Sequence, residues 1–130
     1  MLFKTDKVSK DYGDLPFKNN RLYQLLLVLE TYVKLEFNKD LTLTEIHRSK
    51  EEFDLLYSNT PVDKRPATSP HMRWEAADIR SSAFTGIEKQ KMLKFLNAFT
   101  YQKGARPVAL LHTIAGNVEH FHIQFDSTVV

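Results

Sequence analysis

The sequence predicts an α+β domain, a small and largely antiparallel sheet flanked by two main helices. Apolar residues recur at helical spacing in two separated stretches, from Arg21 to about Phe37 and from Thr85 to about Tyr101. Short segments with strand-like alternation or apolar runs lie between and after them. No repeat, linker or low-complexity tract divides the chain, so its 130 residues read as a single domain, 1–130, long enough to bury a core.

In chain order, residues 1–19 read as irregular, because Gly13 and Pro16 interrupt them and a polar pair, Asn19 and Asn20, follows. Leu22, Leu25, Leu26, Leu29, Tyr32 and Val33 then form one apolar stripe, a long helix. "LTLTEI", residues 41–46, alternates as a strand. Ser49 with Glu52 has the spacing of a capping box and opens a short helix through "FDLLY". Residues 58–70 contain three prolines and read as a long loop, of a kind that is often functional. "EAADIR" reads as a short strand. Thr85 with Glu88 forms a second capping box, and the helix it opens directs Ile87, Met92, Phe95, Leu96 and Phe99 inward. "PVALLH" and "EHFHIQFD" close the chain as two strands, joined through "TIAGNV" as a hairpin.

Composition excludes several classes. A hydrophobic fraction of 42% and a charged fraction of 26% are those of an ordinary soluble globular protein. The 18 Lys+Arg and 16 Asp+Glu are interspersed, without a basic cluster or interleaved aromatics, which argues against a nucleic-acid partner. The absence of cysteine removes disulfides and thiolate metal sites, so any metal must be held by His, Asp or Glu. The first residues lack the apolar region of a signal peptide, and "LLLVLE", residues 25–30, is too short to span a membrane. The expectation is a monomer, cytoplasmic as synthesised.

Two segments carry candidate chemistry. "SPHMRWEAADIR", residues 69–80, holds His71 and Asp78 just after the proline-rich loop. In "EHFHIQFD" the alternation sends Phe121, Ile123 and Phe125 to one face, and His120, His122 and Gln124 to the other. Read alone, such a strand is more often an edge strand with two solvated histidines, and a His pair at i and i+2 is a moderate metal signal. Combined with His71 and Asp78, it supplies N and O donors of the type zinc accepts, three of which leave a position for water. His47 and His112 read as structural or surface histidines.

The pattern Ser69-x-His71, with Ala76 and then Asp78, resembles the first zinc motif, S-x-H-x-x-G-x-A-x-D, of the zinc D-alanyl-D-alanine carboxypeptidase and L-alanyl-D-glutamate endopeptidase family. His120-x-His122 is similar to that family's second motif. "TEIHRSKEE", residues 44–52, resembles its upstream S-G-Y-R-S-x-E segment and puts Arg48 on the family's arginine. The three landmarks occur in the family's order between Thr44 and Gln124. The resemblance implies a hedgehog-like or D-Ala-D-Ala-peptidase-like fold, with zinc on His71, Asp78 and His122. It also implies hydrolysis of D-amino-acid-containing peptides of bacterial peptidoglycan, as in a phage or prophage endolysin acting on the cell wall once released.

Within that resemblance Arg48 either stabilises developing negative charge or clamps a substrate carboxylate, and Ser69 and Trp74 fall among the substrate-binding positions. The acid/base is His120 or Glu119; strand parity favours His120, unless the chain bends after Val118. Trp74 replaces the family's glycine, either as a platform over the substrate groove or as an ordinary packing aromatic. The alternative to an enzyme is a non-catalytic zinc-binding or structural module on the same scaffold.

Overall fold

The computed structural model describes residues 1–99, 107–113 and 118–125. Five strands form one mixed sheet in the order β1-β2-β3-β5-β4: β1 (Leu2–Phe3), β2 (Thr42–Glu45), β3 (Ala76–Arg80), β4 (Ala109–His112) and β5 (His120–Gln124). Among the described residues only the β1–β2 pairing is parallel; the other three are antiparallel. Among the described residues four helices accompany the sheet: α1 (Asp6–Lys18), α2 (Asn20–Phe37), α3 (Lys50–Leu56) and α4 (Gly86–Asn97). The α+β class therefore holds.

Helix α2 follows its apolar stripe, with Leu22, Leu25, Leu26, Leu29 and Val33 buried. It ends at Asn38, whose left-handed φ of 53° suits an asparagine C-cap, and its Tyr32 stacks on Phe95 of α4 at 4.2 Å. Both capping boxes form, Ser49 with Glu52 and Thr85 with Glu88. One sheet face supplies Leu43, Ile79, Phe121 and Ile123 to the core, where they meet α2 together with Met92 and Leu96 of α4. The opposite face carries the candidate site.

Residues 1–19 depart from expectation, since β1 and α1 occupy most of them. Thr5 caps α1 by accepting the Val8 N–H at 3.2 Å, and Val8 and Leu15 are buried one above the other. Pro16 is tolerated in the last turn, and Gly13 sits in open space. Asn19 then ends α1 and caps α2, accepting from the Leu22 N–H at 3.2 Å. In α4, Met92 and Leu96 point inward as expected, but Ile87 is exposed, and Phe99 lies beyond the helix and is exposed too. Helix α4 ends at Asn97 with Ala98 as its cap, short of the expected end near Tyr101, and most of the "TIAGNV" turn lies outside the described residues. The proline-rich loop contains two single 3-10 turns, Val62–Lys64 and Pro70–Arg73. Among the described residues no helix is long and apolar enough to cross a membrane.

Candidate metal centre

His71 reaches the site from a tightly built turn. Ser69 accepts the His71 backbone N–H at 3.2 Å, Pro70 starts the 3-10 turn, and the Glu75 N–H returns to the Pro70 carbonyl at 2.9 Å. Nδ1 of the His71 ring lies 3.0 Å from the Ile46 carbonyl. A carbonyl can only accept, so Nδ1 carries the proton and Nε2 presents its lone pair, 3.2 Å from Oδ2 of Asp78.

Strand pairing supplies the other two groups. Asp78 of β3 sits directly opposite His122 of β5, so both side chains leave the sheet on the same side. Nδ1 of His122 is 3.1 Å from Oδ1 of Asp78, while its Nε2 is 3.1 Å from Oε1 of Gln124. With Nε2–H donated to Gln124, the Nδ1 lone pair also faces the carboxylate. One donor atom from each of His71, Asp78 and His122 lies within 4.8 Å of the others, and the three can hold a metal ion.

The donor chemistry fits a cation. Three electron-rich atoms turned toward one another repel unless positive charge sits among them. Ligands about 2.0–2.1 Å from a tetrahedral ion stand roughly 3.3 Å apart, close to the two carboxylate–imidazole separations. With no cation there, a ring proton takes its place in each of the two carboxylate–imidazole contacts. Burial alone would raise the Asp78 carboxyl, but hydrogen bonds from His122 and His71 hold it well below the usual carboxylate range. Burial would likewise lower His71, but the hydrogen bond to Asp78 and its charge outweigh this and raise it.

The acid/base candidates are clearly differentiated. Nδ1 of His120 lies 3.2 Å from the Val118 carbonyl, which fixes the proton there and leaves Nε2 as the basic nitrogen. That Nε2 is 3.7 Å from Oδ2 of Asp78 and, among the described residues, has no hydrogen-bond partner. Glu119 accepts from Lys89 Nζ at 2.7 Å and from Ser81 Oγ at 3.1 Å; these bonds, Lys89's first, lower its pKa.

Three further candidates take the following places. Arg48 is buried, but its Nε and Nη2 form a fork on the two oxygens of Glu45, so the donors suited to a substrate carboxylate are engaged within the chain. Ser69 is buried and spends its hydroxyl on the turn that aims His71, which makes it a positioning residue. Trp74 stacks on His47 with centroids 4.4 Å apart, has the Lys18 ammonium 5.7 Å from its ring centre, and packs against the core. It is a packing aromatic outside the site cavity. Its φ of 59° is left-handed, the conformation for which a glycine is best suited.

One residue of the site was missed. His112 on β4 lies opposite His120, their rings in edge contact at 4.6 Å, and its ring is 5.4 Å from that of His122. Burial, then the neighbouring histidines His120 and His122, lower its pKa, and among the described residues its Nε2 has no hydrogen-bond partner. Register would have revealed it, since pairing "PVALLH" with "EHFHIQFD" sets His112 beside His120.

Asp78 and His120 open into a cavity of about 630 Å³ that Arg48, Tyr57, Arg80 and Lys4 also line. That is room for a few peptide residues. The fold and site together define an α+β domain with a His/Asp/His donor group on the open face of its sheet. No family model, curated protein or solved structure matches the chain.

Proposed function

We propose that the protein is a zinc-dependent peptidase that hydrolyses D-amino-acid-containing peptides of bacterial peptidoglycan, of the phage or prophage lysis type. The observation that carries this reading is the convergence of His71, Asp78 and His122, with outer ring nitrogens tied to fixed acceptors, beside the Nε2 of His120, which has no hydrogen-bond partner among the described residues. The order of the motifs around Arg48, His71–Asp78 and His120–His122 supports the same reading.

Zinc bound to these ligands would polarise the scissile carbonyl and lower the pKa of water toward ~7. The chain's own groups do the rest. His120 Nε2 accepts the proton of the attacking water and returns it to the leaving amine. Gln124 and the Ile46 carbonyl hold the ligand rings in the required tautomers. Arg48, oriented by Glu45, contributes positive potential at the cavity wall.

One observation favours a second reading, a non-catalytic metal-binding module: Glu45 occupies the arginine fork expected to act on substrate. Digestion of purified peptidoglycan and of a synthetic stem peptide by the zinc-loaded protein, with mass spectrometry of the fragments, separates the two. The peptidase reading expects defined peptide fragments that His120→Ala does not release. A fully zinc-loaded wild type that cleaves neither substrate would leave the module.

A further inference from the structure

Charge matching inside the cavity leaves two cations over. Glu45 is paired with Arg48 and Glu119 with Lys89, and Asp78 is engaged by the two histidine rings of the metal group. Lys4 and Arg80 also line the cavity, and among the described residues neither has an ion-pair or hydrogen-bond partner for its side chain. Their placement follows from the sheet. Phe3 and Leu43 are paired, and Leu43 lies in the core, so the next residues, Lys4 and Thr44, turn to the site face. Arg80 is two residues beyond Asp78 on β3 and opposite His120, so it shares their face.

We propose that Lys4 and Arg80 form a carboxylate subsite that selects peptides carrying a free carboxylate close to the scissile bond. This rests on the peptidase reading and extends it to substrate choice. Arg80 offers a planar fork for two carboxylate oxygens, and Lys4 adds a flexible point charge. Both line the same cavity, where charges of one sign raise the local concentration of an anionic ligand. The carboxylate clamp expected of Arg48 thereby passes to two residues outside every motif.

The carboxylate could be the peptide's terminal group or an acidic side chain, and one peptide series distinguishes them. Acetyl-L-Ala-D-Glu, its two mono-amides and its di-amide are titrated by NMR against zinc-loaded wild type and the Lys4→Gln/Arg80→Gln double variant. Both positions are exposed, so the variant should retain its fold and zinc. Wild type is expected to bind the di-acid about tenfold more tightly than the di-amide, the scale of one charge-assisted hydrogen-bonded contact. The mono-amide that loses affinity identifies the carboxylate read. In the double variant the preference should vanish, with di-amide affinity unchanged. Equal binding of all four peptides by wild type, or a preference that survives in the variant, overturns the subsite and leaves the peptidase reading standing. Failure of wild type to bind any of them also overturns the subsite, while the peptidoglycan digestion decides the peptidase reading by itself.

Discussion

His71 and His120 are both histidines on one site, yet each has a backbone carbonyl fixing a different nitrogen environment. For His71 the Ile46 carbonyl turns Nε2 onto Asp78; for His120 the Val118 carbonyl leaves Nε2 without a hydrogen-bond partner. His120→Ala should therefore retain zinc while losing about 10²–10⁴-fold in peptide hydrolysis, whereas Glu119→Gln should lose little. The reverse ranking in steady-state kinetics would make Glu119 the base. His71 also predicts a pH response of the metal-free protein. Its folded pKa is raised above 6.5, so its contribution to stability is fully present below about that pH and is lost as pH rises through the folded value. Metal must displace the same proton, so zinc affinity should rise over the same interval. Thermal unfolding of the metal-free protein and zinc titration, each across that range, should show these opposite trends. Asn19 joins the two helices to the site turn, its Nδ2 donating to the carbonyls of Trp74 at 3.0 Å and Phe125 at 2.7 Å. Asn19→Ala should lower unfolding free energy by about 1–3 kcal/mol in denaturant titrations.

The elements most legible in the sequence were those whose local signals agree. Helix α2 has one apolar stripe, α3 and α4 have reciprocal caps, and β5 alternates without interruption. Thr85→Ala should accordingly reduce stability by about 1 kcal/mol without changing metal content, as followed by chemical denaturation and metal analysis. Helix α1 was obscured because Gly13 and Pro16 outweigh a short stripe of Val8, Tyr12 and Leu15. Tertiary contact resolves that conflict: Tyr12 is held between Phe3 and Tyr23, with ring centroids 5.4 and 5.3 Å away. The metal-ligand candidates were legible because motif and strand parity each address a single segment. The Glu45–Arg48 fork, the stacking of Trp74 on His47 and the place of His112 were not, since each depends on contacts that only the folded sheet and its flanking turns create.

At the scale of the molecule, the sheet divides labour between its faces. Its core face carries Leu43, Ile79, Phe121 and Ile123, and alternate positions on β3 and β5 carry Asp78, Arg80, His120 and His122 to the other. Because the three ligands converge only in the folded sheet, metal binds the folded chain and should stabilise the whole domain by mass action. The most direct test is the zinc-to-protein ratio of wild type and of His122→Ala, measured by plasma mass spectrometry after equilibration with equal zinc and extensive dialysis. The expected result is about one zinc per wild-type chain and almost none in the folded variant, because two remaining ligands do not hold the ion. Full zinc occupancy in His122→Ala, or none in the wild type, would contradict the assignment of His71, Asp78 and His122 as its ligands.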